Sequence, residues 1–583
     1  MRTIHILHDL ALSSASTPTD EPRAQFDYYT TQVSDRDLPN DMLPSSSRPP
    51  VSNVESDFSD ESSQGDYCSI DTGVRECNSV TIENGSEMSV EFAKYEGRDL
   101  SAEYWGPIMS ISEEALNDLL KGRIIVRAGS RDASNYRLIS CQHGVYNAAY
   151  ILQDDSQQKF CVRVPACAWK DRWNEYDKEL LRQTALIMRM LIAKTKLPIP
   201  KVITYDCSFD NEIRAPFILM SCVAGSSVTQ VWDADTGSVP KEVRRQNILR
   251  SVAQAVSELQ TFRFSKMGSL WFNEDSDDMP EVGETWKLRM EGYIMKRRFE
   301  VLAPSFSTRA KVLKDLQSFL DAEGFQRPLQ DPFAMGLCEL YILLTKAFLA
   351  AAEVPLSGAK EEFVLLHADF DKQNVLVDDA GNLTGMLDWD ASSTYSAQAG
   401  WSMPPLWLQE DWYPEYHWPS TTGVNFAMVR PDQFERYRQD YARYLCKACE
   451  YTGDCKYTTK SHIYRAFLKS MAGPWEARRF AANVLAEILP RLNGVDYCTQ
   501  LGEYGFRSGE EEWLQNRLQV LFKPELPRPS SETIEQHLAS NTALHAAQFG
   551  RFAWCSAVYA VWRYLRLLLT VAATWRLVHL LSR

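Results

Sequence analysis

The sequence lacks two features that mark common protein classes: an excess of basic residues and a dense set of cysteines. It has no excess of positive charge: 62 Lys and Arg residues stand against 77 Asp and Glu residues, a formal net charge of −15. We expect no nucleic-acid partner, because a phosphate backbone must be met by clustered basic side chains. The 13 cysteines are spread over 583 residues without a dense framework. Such scattered cysteines are typical of reduced intracellular thiols rather than of a secreted disulfide scaffold.

Long hydrophobic runs are also missing. The N-terminus, MRTIHILHDLALSSAS, has a broken apolar run, so no signal peptide is predicted. The chain has no uninterrupted stretch of about 18 apolar residues, the length that a membrane-spanning helix needs. These absences favour a cytoplasmic protein.

The C-terminal tail, 552–583, is the closest approach to a hydrophobic run. It is apolar and aromatic but is interrupted by Arg563, Arg566, Arg576 and Arg583. Burying an arginine at the centre of a bilayer costs about 2.5–3.5 kcal/mol. The tail therefore favours either a helix at the membrane surface, which would make the protein peripheral, or a helix docked on the folded domain. The sequence leaves both open.

Composition divides the chain, which is too long for one compact core. Residues 1–90 are rich in Ser, Asp, Pro and Asn and are predicted to be disordered. Residues 110–222 carry an antiparallel strand pattern with one long helical segment, and residues 223–525 are mostly helical in pattern. A linker and an apolar-cationic helix are predicted at 526–583. The expected fold class is α+β, with a small strand-rich lobe before a larger helical one.

One short loop, HADFDKQN, crowds acidic and amide side chains between the strand-like runs FVLL and VLV. Asp369 and Asn374 are five residues apart, and Asp388 follows at the end of the next predicted strand. Phosphoryl transfer to a hydroxyl needs this set: a carboxylate that accepts or orients the hydroxyl proton, and oxygen ligands for Mg²⁺. His367 is predicted to brace the loop through its ring nitrogens. A solvated acidic turn is the plainer alternative.

The segment HADFDKQNVLVDDAGNLTGMLDWD resembles the H-G-D-x-x-x-x-N…I-D-W-E signature of the aminoglycoside phosphotransferase and choline kinase-like superfamily, in its large fungal-type members. HGVYNAAYIL resembles the family's phosphate-covering loop. FCVRVP resembles the strand with the basic nucleotide contact, and APFILMSCVAG resembles the hinge between lobes. The resemblance implies a bilobal protein kinase-like fold, use of ATP with Mg²⁺, and phosphorylation of a small-molecule hydroxyl.

The resemblance also implies roles for single residues. Asp369 would be the catalytic base, supported by His367, and Asn374 and Asp388 would be the Mg²⁺ ligands. The positions that would contact the nucleotide are Gly144, Val145, Tyr146, Arg163, Met220, Ser221 and Val223.

Two departures from the family pattern keep a second function open. Arg163 stands where the family often has Lys, and Arg is bulkier and forked. Thr184 stands where the family has the helix glutamate that pairs with this basic residue, so Arg163 has no assigned partner. The alternative function is a catalytically impaired kinase-like protein that acts in binding or as a scaffold. The aromatic and acidic segment 411–419 is open too: it could hold a cationic substrate or be a packed loop.

Overall fold

The computed structural model describes residues 104–128, 135–273, 279–291, 296–322, 331–413, 416, 429–489 and 494–527. The region predicted to be disordered at 1–90 and the tail at 552–583 lie outside these residues. Their predicted properties, and the domain boundaries drawn from composition, stay predictions.

The first lobe is built on one antiparallel sheet in the spatial order β1-β2-β3-β5-β4. Side chains of a strand alternate between the two faces of its sheet, and here both faces are covered. On β5, Phe217 and Leu219 face the core that contains helix α1, whereas Ile218 and Met220 face the core that contains helix α2. The elements are β1 (Arg137–His143), β2 (Asn147–Gln153), β3 (Lys159–Pro165), β4 (Val202–Asp206), β5 (Phe217–Ser221), α1 (Glu113–Ala128) and α2 (Glu175–Lys194).

Helix α2 has clear start and stop signals in its sequence. The Asn174 side chain accepts hydrogen bonds from the backbone amides of Tyr176 and Asp177, and the Asp177 carboxylate accepts one from the amide of Asn174. This reciprocal cap satisfies amides that the first helical turn leaves without partners. The helix ends at Lys194, before the segment LPIP, which cannot continue it.

The second lobe is mainly helical. Helix α6 (Pro332–Ala351) lies at the centre of this lobe, and most of the apolar side chains of the helix are buried. Among the described residues it is also the one helix long and apolar enough to cross a bilayer, but 67% of its apolar window is buried inside the protein. The helices are α3 (Val228–Val231), α4 (Lys241–Val256), α5 (Thr308–Asp321), α6 (Pro332–Ala351), α7 (Pro431–Ala448), α8 (Ser461–Ser470), α9 (Pro474–Ile488), α10 (Gly494–Tyr504) and α11 (Glu510–Phe522).

The second lobe also contains strands. The sequence pattern indicates those at 363–366, 375–377 and 383–386, but not the others. A five-stranded sheet runs β7-β12-β15-β8-β9, a three-stranded sheet runs β14-β13-β6, and β10 pairs with β11. The partner of β7, and one of the two partners of β8, lie about a hundred residues or more further along the chain, so local alternation does not reveal these pairings. The strands are β6 (Ser226–Ser227), β7 (Arg263–Phe264), β8 (Gly268–Trp271), β9 (Glu281–Gly283), β10 (Thr285–Glu291), β11 (Lys296–Leu302), β12 (Phe363–Leu366), β13 (Val375–Val377), β14 (Leu383–Met386) and β15 (Ser393–Ser396).

The predicted fold class is therefore confirmed: a small antiparallel-sheet lobe precedes a larger helical lobe in an α+β, kinase-like arrangement. Strand β12 is an interior strand of the five-stranded sheet, paired with β7 on one side and β15 on the other. Phe363, Val364 and Leu365 of this strand are fully buried. The loop that follows β12 therefore starts from a rigid support.

Helices α6 and α10 approach so closely that only glycine fits at their contact. A Cβ atom on Gly336 would collide with the carbonyl oxygen of Cys498, and a Cβ atom on Gly502 would collide with that of Pro332. Backbone atoms cannot swing aside as a long side chain can, so the helices would have to separate.

We expect Gly336→Ala to lower the free energy of unfolding by about 2–3 kcal/mol, through overpacking at this crossing. Urea unfolding followed by circular dichroism measures this change. Gly122→Ala is the matched control, since Gly122 is also helical and its Cβ would meet only the flexible Glu212 side chain. There the better helix propensity of Ala should raise stability by up to about 1 kcal/mol. Equal effects at both positions would contradict the close crossing.

Candidate active site

The HADFDKQN loop is held in shape by its own backbone. The amide of Asp371 donates to the carbonyl of Asp369 (3.0 Å), and the amide of Asn374 donates to the carbonyl of Asp371 (3.0 Å). A single 3-10 turn at Lys372–Asn374 leads into β13. The loop is therefore two successive turns, which bring the side chains at its start and end to the same place.

His367 braces this loop in one defined tautomer. Its Nε2 lies 2.9 Å from the carbonyl oxygen of Leu387, and its Nδ1 accepts the backbone amide of Asp369 at 3.2 Å. A carbonyl can only accept and an amide can only donate, so the ring carries its proton on Nε2 and is neutral. Burial also disfavours the charged ring and lowers the pKa of His367 to about 4. His367 thus supports the loop and does not act as an acid at neutral pH.

Asp369 and Asn374 are in direct contact. The amide nitrogen Nδ2 of Asn374 donates to the Asp369 carboxylate oxygen Oδ2 at 2.8 Å and to the Asp369 carbonyl at 2.9 Å. Gln373 donates to the same Oδ2 at 3.1 Å. No described residue donates to the other carboxylate oxygen, Oδ1, nor to Oδ1 of Asn374. Each side chain therefore keeps one oxygen free for a ligand.

The β13–β14 hairpin brings Asp388 back to this loop. Its turn is closed by the Asp378 carboxylate, which accepts the backbone amides of Ala380 and Asn382. At the other end of the hairpin, the amide of Leu387 donates to the carbonyl of Asn374 at 2.8 Å. Because Leu387 bonds to Asn374 in this way, the next residue, Asp388, lies beside the end of the loop.

Trp389 fixes the chain after the hairpin. Its side chain is fully buried, its ring centroid lies 4.5 Å from that of His367, and its Nε1 donates to the carbonyl of Met386. The neighbouring carboxylates, Asp388 and Asp390, both reach Arg163. The motif Asp-Trp-Asp thus places its aromatic side chain under the catalytic loop and its two acids on the arginine.

Arg163 on β3 has the partners that sequence reasoning left unassigned. Its Nη1 and Nη2 donate to the two carboxylate oxygens of Asp390 at 2.7 and 2.6 Å, and Nη2 also donates to Asp388 at 2.7 Å. Asn147 of β2 lies 3.5 Å from Asp390, and the Thr184 hydroxyl of α2 is within hydrogen-bonding reach of the same carboxylate. The signal that could have found Asp390 is the second acid of the Asp-Trp-Asp motif, directly after the buried tryptophan.

The two acids differ in their response to this environment. Burial, together with the nearby Asp390 charge, raises the pKa of Asp388 to about 6. Burial also acts on Asp390, but the Arg163 charge and hydrogen bonds from Arg163, Thr184 and Asn147 hold the pKa of Asp390 below its ordinary value. The arginine therefore stabilises the Asp390 carboxylate more than that of Asp388. Asp388 is the acid less fully neutralised by the protein.

The backbone at Asp388 is unusual as well. Its φ is +57°, in the left-handed region that non-glycine residues seldom adopt. Such a conformation costs about 1 kcal/mol or more and persists only where the surroundings hold it. The buried Trp389 and the arginine contact provide that hold here. A strained residue beside a catalytic-type loop is the kind of position where function is found.

The donor atoms fit a magnesium ion. Oδ1 of Asn374 is free, and Oδ2 of Asp388 accepts no hydrogen bond from any described residue. Mg²⁺ prefers such oxygen ligands and commonly takes only one or two from the protein, with phosphate oxygens and water completing its shell. The described residues contain no group of three or more His, Cys, Asp and Glu side chains arranged for a metal. Asn374 and Asp388 would thus hold the ion together with a bound phosphate.

The turn between β1 and β2 contains Gly144, Val145 and Tyr146. Val145 and Tyr146 are exposed, at 48% and 56%. The amide of Gly144 donates to the carbonyl of Asn147 at 2.9 Å, which closes the turn. The predicted phosphate-covering residues therefore lie together at one end of the first sheet, next to Asn147 and its Asp390 contact.

The predicted hinge residues lie where the first lobe leads into the second. Met220 and Ser221 end β5, and the amide of Ser221 is already bonded to the carbonyl of Lys201. The amide of Val223 donates to no described residue, so it is the backbone group here that is free for an adenine. The Val223 side chain lies over β14: a Cβ on Gly385 would come within 2.7 Å of its Cγ1.

The acidic and aromatic segment that sequence reasoning left open is packed where the structure describes it. Arg438 donates to both carboxylate oxygens of Asp411, at 2.6 and 2.9 Å, and this pair is buried. Trp412 packs between His462 and Phe480. The Asp411 charge is thus already neutralised, which favours the packed-loop interpretation over a cation site.

Comparison with known sequences gives a family match and distant relatives. Residues 137–397 match the model of the phosphotransferase enzyme family, APH. The chain is 25% identical over 252 residues to "Altered inheritance of mitochondria protein 9, mitochondrial" of Debaryomyces hansenii, a match that covers 41% of this chain and 38% of the relative. A protein of the same name from Saccharomyces cerevisiae is 24% identical over 143 residues, covering 24% and 22%. The matches thus span well under half of these relatives.

Among solved structures, the chain is similar to "Macrolide 2'-phosphotransferase type I", with a TM-score of 0.34 and 11% identity over 67% of this chain and 97% of that one. It is also similar to aminoglycoside phosphotransferase APH(4)-Ia in a ternary complex with ADP and hygromycin B. That match has a TM-score of 0.31 and 13% identity over 69% and 97% of the two chains.

The neutral, buried His367 predicts a pH effect on stability. Its pKa is lower in the folded chain than the unfolded value of 6.5, so between pH 6.5 and 4 only the unfolded state gains the proton. Stability contributed by His367 is therefore complete above pH 6.5 and falls with pH. We expect the stability advantage of wild type over His367→Gln to shrink by about 2 kcal/mol from pH 7 to pH 5. Urea unfolding at both pH values measures it, and an unchanged advantage would contradict a neutral ring.

The Arg163–Asp390 pair predicts a large loss of stability when the acid is removed. Asp390→Ala leaves a guanidinium whose side chain is 14% exposed with Asp388 as its remaining acid. We expect the free energy of unfolding to fall by about 2–4 kcal/mol, measured by urea titration. Asp233→Ala is the control, because its carboxylate also pairs with an arginine, Arg245, but is 71% exposed. A much smaller loss is expected there, since exposed pairs contribute little.

Proposed function

Because residues 137–397 of this chain belong to the phosphotransferase enzyme family, we propose that the protein transfers the terminal phosphoryl group of ATP, with Mg²⁺, to a hydroxyl group of a small molecule. The observation that carries this proposal is the convergence of Asp369, Asn374 and Asp388, each with one oxygen that no described residue occupies. A free carboxylate oxygen beside two oxygen ligands is what proton acceptance and metal binding require.

Asp369 has the geometry of the catalytic base. Hydrogen bonds from Asn374 and Gln373 fix its Oδ2 and so orient the carboxylate. The acceptor hydroxyl would donate to the free Oδ1, and its proton would pass there as its oxygen bonds to phosphorus. A group held in this way needs no rearrangement at the moment of reaction, which is the main advantage that an enzyme offers in phosphoryl transfer.

Asn374 and Asp388 would hold Mg²⁺ against the phosphates, and the bound ion would supply positive charge to the leaving group. Burial, and after it the nearby Asp390 charge, raise the pKa of Asp388. A divalent cation would reduce the repulsion between these two carboxylates. Arg163, Val223 and the turn at Gly144 would position the nucleotide, Arg163 by its charge and the other two by backbone amides.

The second candidate function is a nucleotide-binding or scaffold protein without turnover. The observation in its favour is that Arg163 already makes three hydrogen bonds to Asp388 and Asp390, while the resemblance places Thr184 at the position of the family's helix glutamate. An arginine committed in this way has less freedom to contact phosphates. The two functions differ in one measurement, since only the first consumes ATP.

Separate effects on binding and turnover are expected from the two aspartates. Asp369→Asn keeps the shape of the loop but removes the base, so Mg-ATP binding should persist while phosphorylation of a metabolite mixture falls about 10²- to 10⁴-fold. Asp388→Asn should abolish the magnesium dependence of ATP binding. Calorimetric titration with ATP, with and without Mg²⁺, and transfer of labelled phosphate to metabolites measure these effects.

Asp379→Asn is the matched control for both variants. Asp379 is an exposed carboxylate in the turn of the same hairpin, and its side chain contacts neither Arg163 nor the HADFDKQN loop. We expect its binding and turnover to equal those of wild type. Wild-type protein that binds Mg-ATP without phosphorylating any metabolite would favour the scaffold function. Full turnover by Asp369→Asn would contradict the role given to that residue.

A further inference from the structure

Tyr104, at the start of the described chain, contacts the turn proposed to cover the phosphates. Its hydroxyl donates to the carbonyl oxygen of Val145 at 2.8 Å, across 41 residues of sequence. The two partners differ greatly in exposure: Tyr104 is 8% exposed, whereas Val145 is 48% exposed. A buried side chain thus reaches out to hold one peptide group of an exposed turn.

The segment that carries Tyr104 is itself firmly anchored. Trp105 is 2% exposed and its ring lies 5.0 Å from that of His143, the last residue of β1. The carbonyl of Ile108 accepts the hydroxyl of Tyr150 on β2. The guanidinium of Arg172 lies 5.0 Å from the centre of the Tyr104 ring. Contacts on several sides therefore fix the tyrosine hydroxyl, so it acts as a fixed point for the turn.

Holding the carbonyl of Val145 also fixes the next amide. In a trans peptide the C=O of one residue and the N–H of the following residue point in opposite directions. With the Val145 carbonyl turned towards Tyr104, the N–H of Tyr146 points away from it. The carbonyl of Tyr146 is likewise held, by the amide of Ala166 at 2.8 Å. The turn is thus fixed through two successive carbonyls.

Two backbone amides of this turn are free. Neither Val145 nor Tyr146 donates its N–H to any described residue. Such a row of free amides in a turn is an anion-binding arrangement. Exposed amides of a turn bind a phosphate well only when their direction is fixed in advance, because otherwise binding must order them.

We propose that Tyr104 is a positioning residue for nucleotide phosphates: its hydroxyl orients the 145–146 peptide so that the Tyr146 amide is presented to a phosphate oxygen. This role rests on the proposed function, since it needs ATP as ligand. It adds to the kinase-like lobe a residue that lies before its first strand and touches no substrate itself. If the Tyr104 ring only packed against its neighbours, a phenylalanine would serve equally well at this position.

Tyr104→Phe tests the proposal, because it removes the hydroxyl and keeps the ring and its neighbours. Loss of one hydrogen bond to a neutral carbonyl should weaken Mg-ATP binding by about three- to tenfold. Binding of adenosine, which has no phosphate, should stay unchanged. Amide hydrogen exchange at 145–147 in the nucleotide-free protein should become faster. Calorimetry gives the two affinities and mass spectrometry the exchange.

Tyr464→Phe is the matched control. It also removes a buried tyrosine hydroxyl that donates to a backbone carbonyl, but that carbonyl belongs to Phe522 of the second lobe and not to the turn. It should leave the ratio of Mg-ATP to adenosine affinity as in wild type, even if both variants lose stability. Equal weakening of ATP and adenosine by Tyr104→Phe, or unchanged exchange at 145–147, would overturn the role of Tyr104. Wild-type protein that binds no Mg-ATP would instead overturn the proposed function and with it this inference.

Discussion

The structure depends on the charge of one arginine. Arg163 sits on the central strand of the first sheet with 14% of its side chain exposed, and a guanidinium cannot lose its proton to escape burial. It therefore requires carboxylates, and those it has come from the second lobe. Asp388 and Asp390 follow directly on the β13–β14 hairpin, so the arginine ties the first sheet to the chain that also supports the catalytic-type loop.

A continuous set of contacts extends from this ion pair. Trp389, between the two acids, packs against His367. His367 bonds to Leu387 and to the amide of Asp369, and Asp369 bonds to Asn374. Each contact fixes the next, so the position of Asp369 relative to Asn374 and Asp388 follows from how the two lobes are joined. The resemblance implies a helix glutamate at the position of Thr184; in this chain the acids that balance the arginine come from the end of the hairpin instead.

Helix α2 therefore contacts the second lobe through other side chains. Without an acid that reaches Arg163, it is held by the second lobe: Arg182 donates to the carbonyl of Phe272 at 2.9 Å, and the Gln183 side chain accepts the amide of Phe272 at 3.1 Å. Phe272 directly follows β8, one of the strands that the sequence did not indicate. The added sheet therefore has a structural purpose, since it supports both β12 and the helix.

Structural features that depend on neighbouring residues can be predicted from the sequence, whereas features that depend on pairing between distant segments cannot. The loop at 367–374, the turn after Asp378 and the cap at Asn174 follow from neighbouring residues, and the structure has them where the pattern indicates. The partner of Arg163 and the strands at 263–271 depend on segments more than a hundred residues away, and no local period encodes them. Tyr104 belongs to the same group, since its partner is a backbone carbonyl and leaves no signature in the sequence.

The balance of charge around the loop has a consequence for the order of binding. Asp369, Asp388 and Asp390 together carry three negative charges, and Arg163 carries one positive charge. The free oxygens of Asn374 and Asp388 thus lie in a region of net negative charge, which attracts a divalent cation and repels a bare triphosphate. Under the proposed function, ATP is therefore expected to enter as its magnesium complex, with the ion placed between two sets of oxygens that would otherwise repel each other. Asp388 can serve both Arg163 and the ion because each contact uses a different carboxylate oxygen.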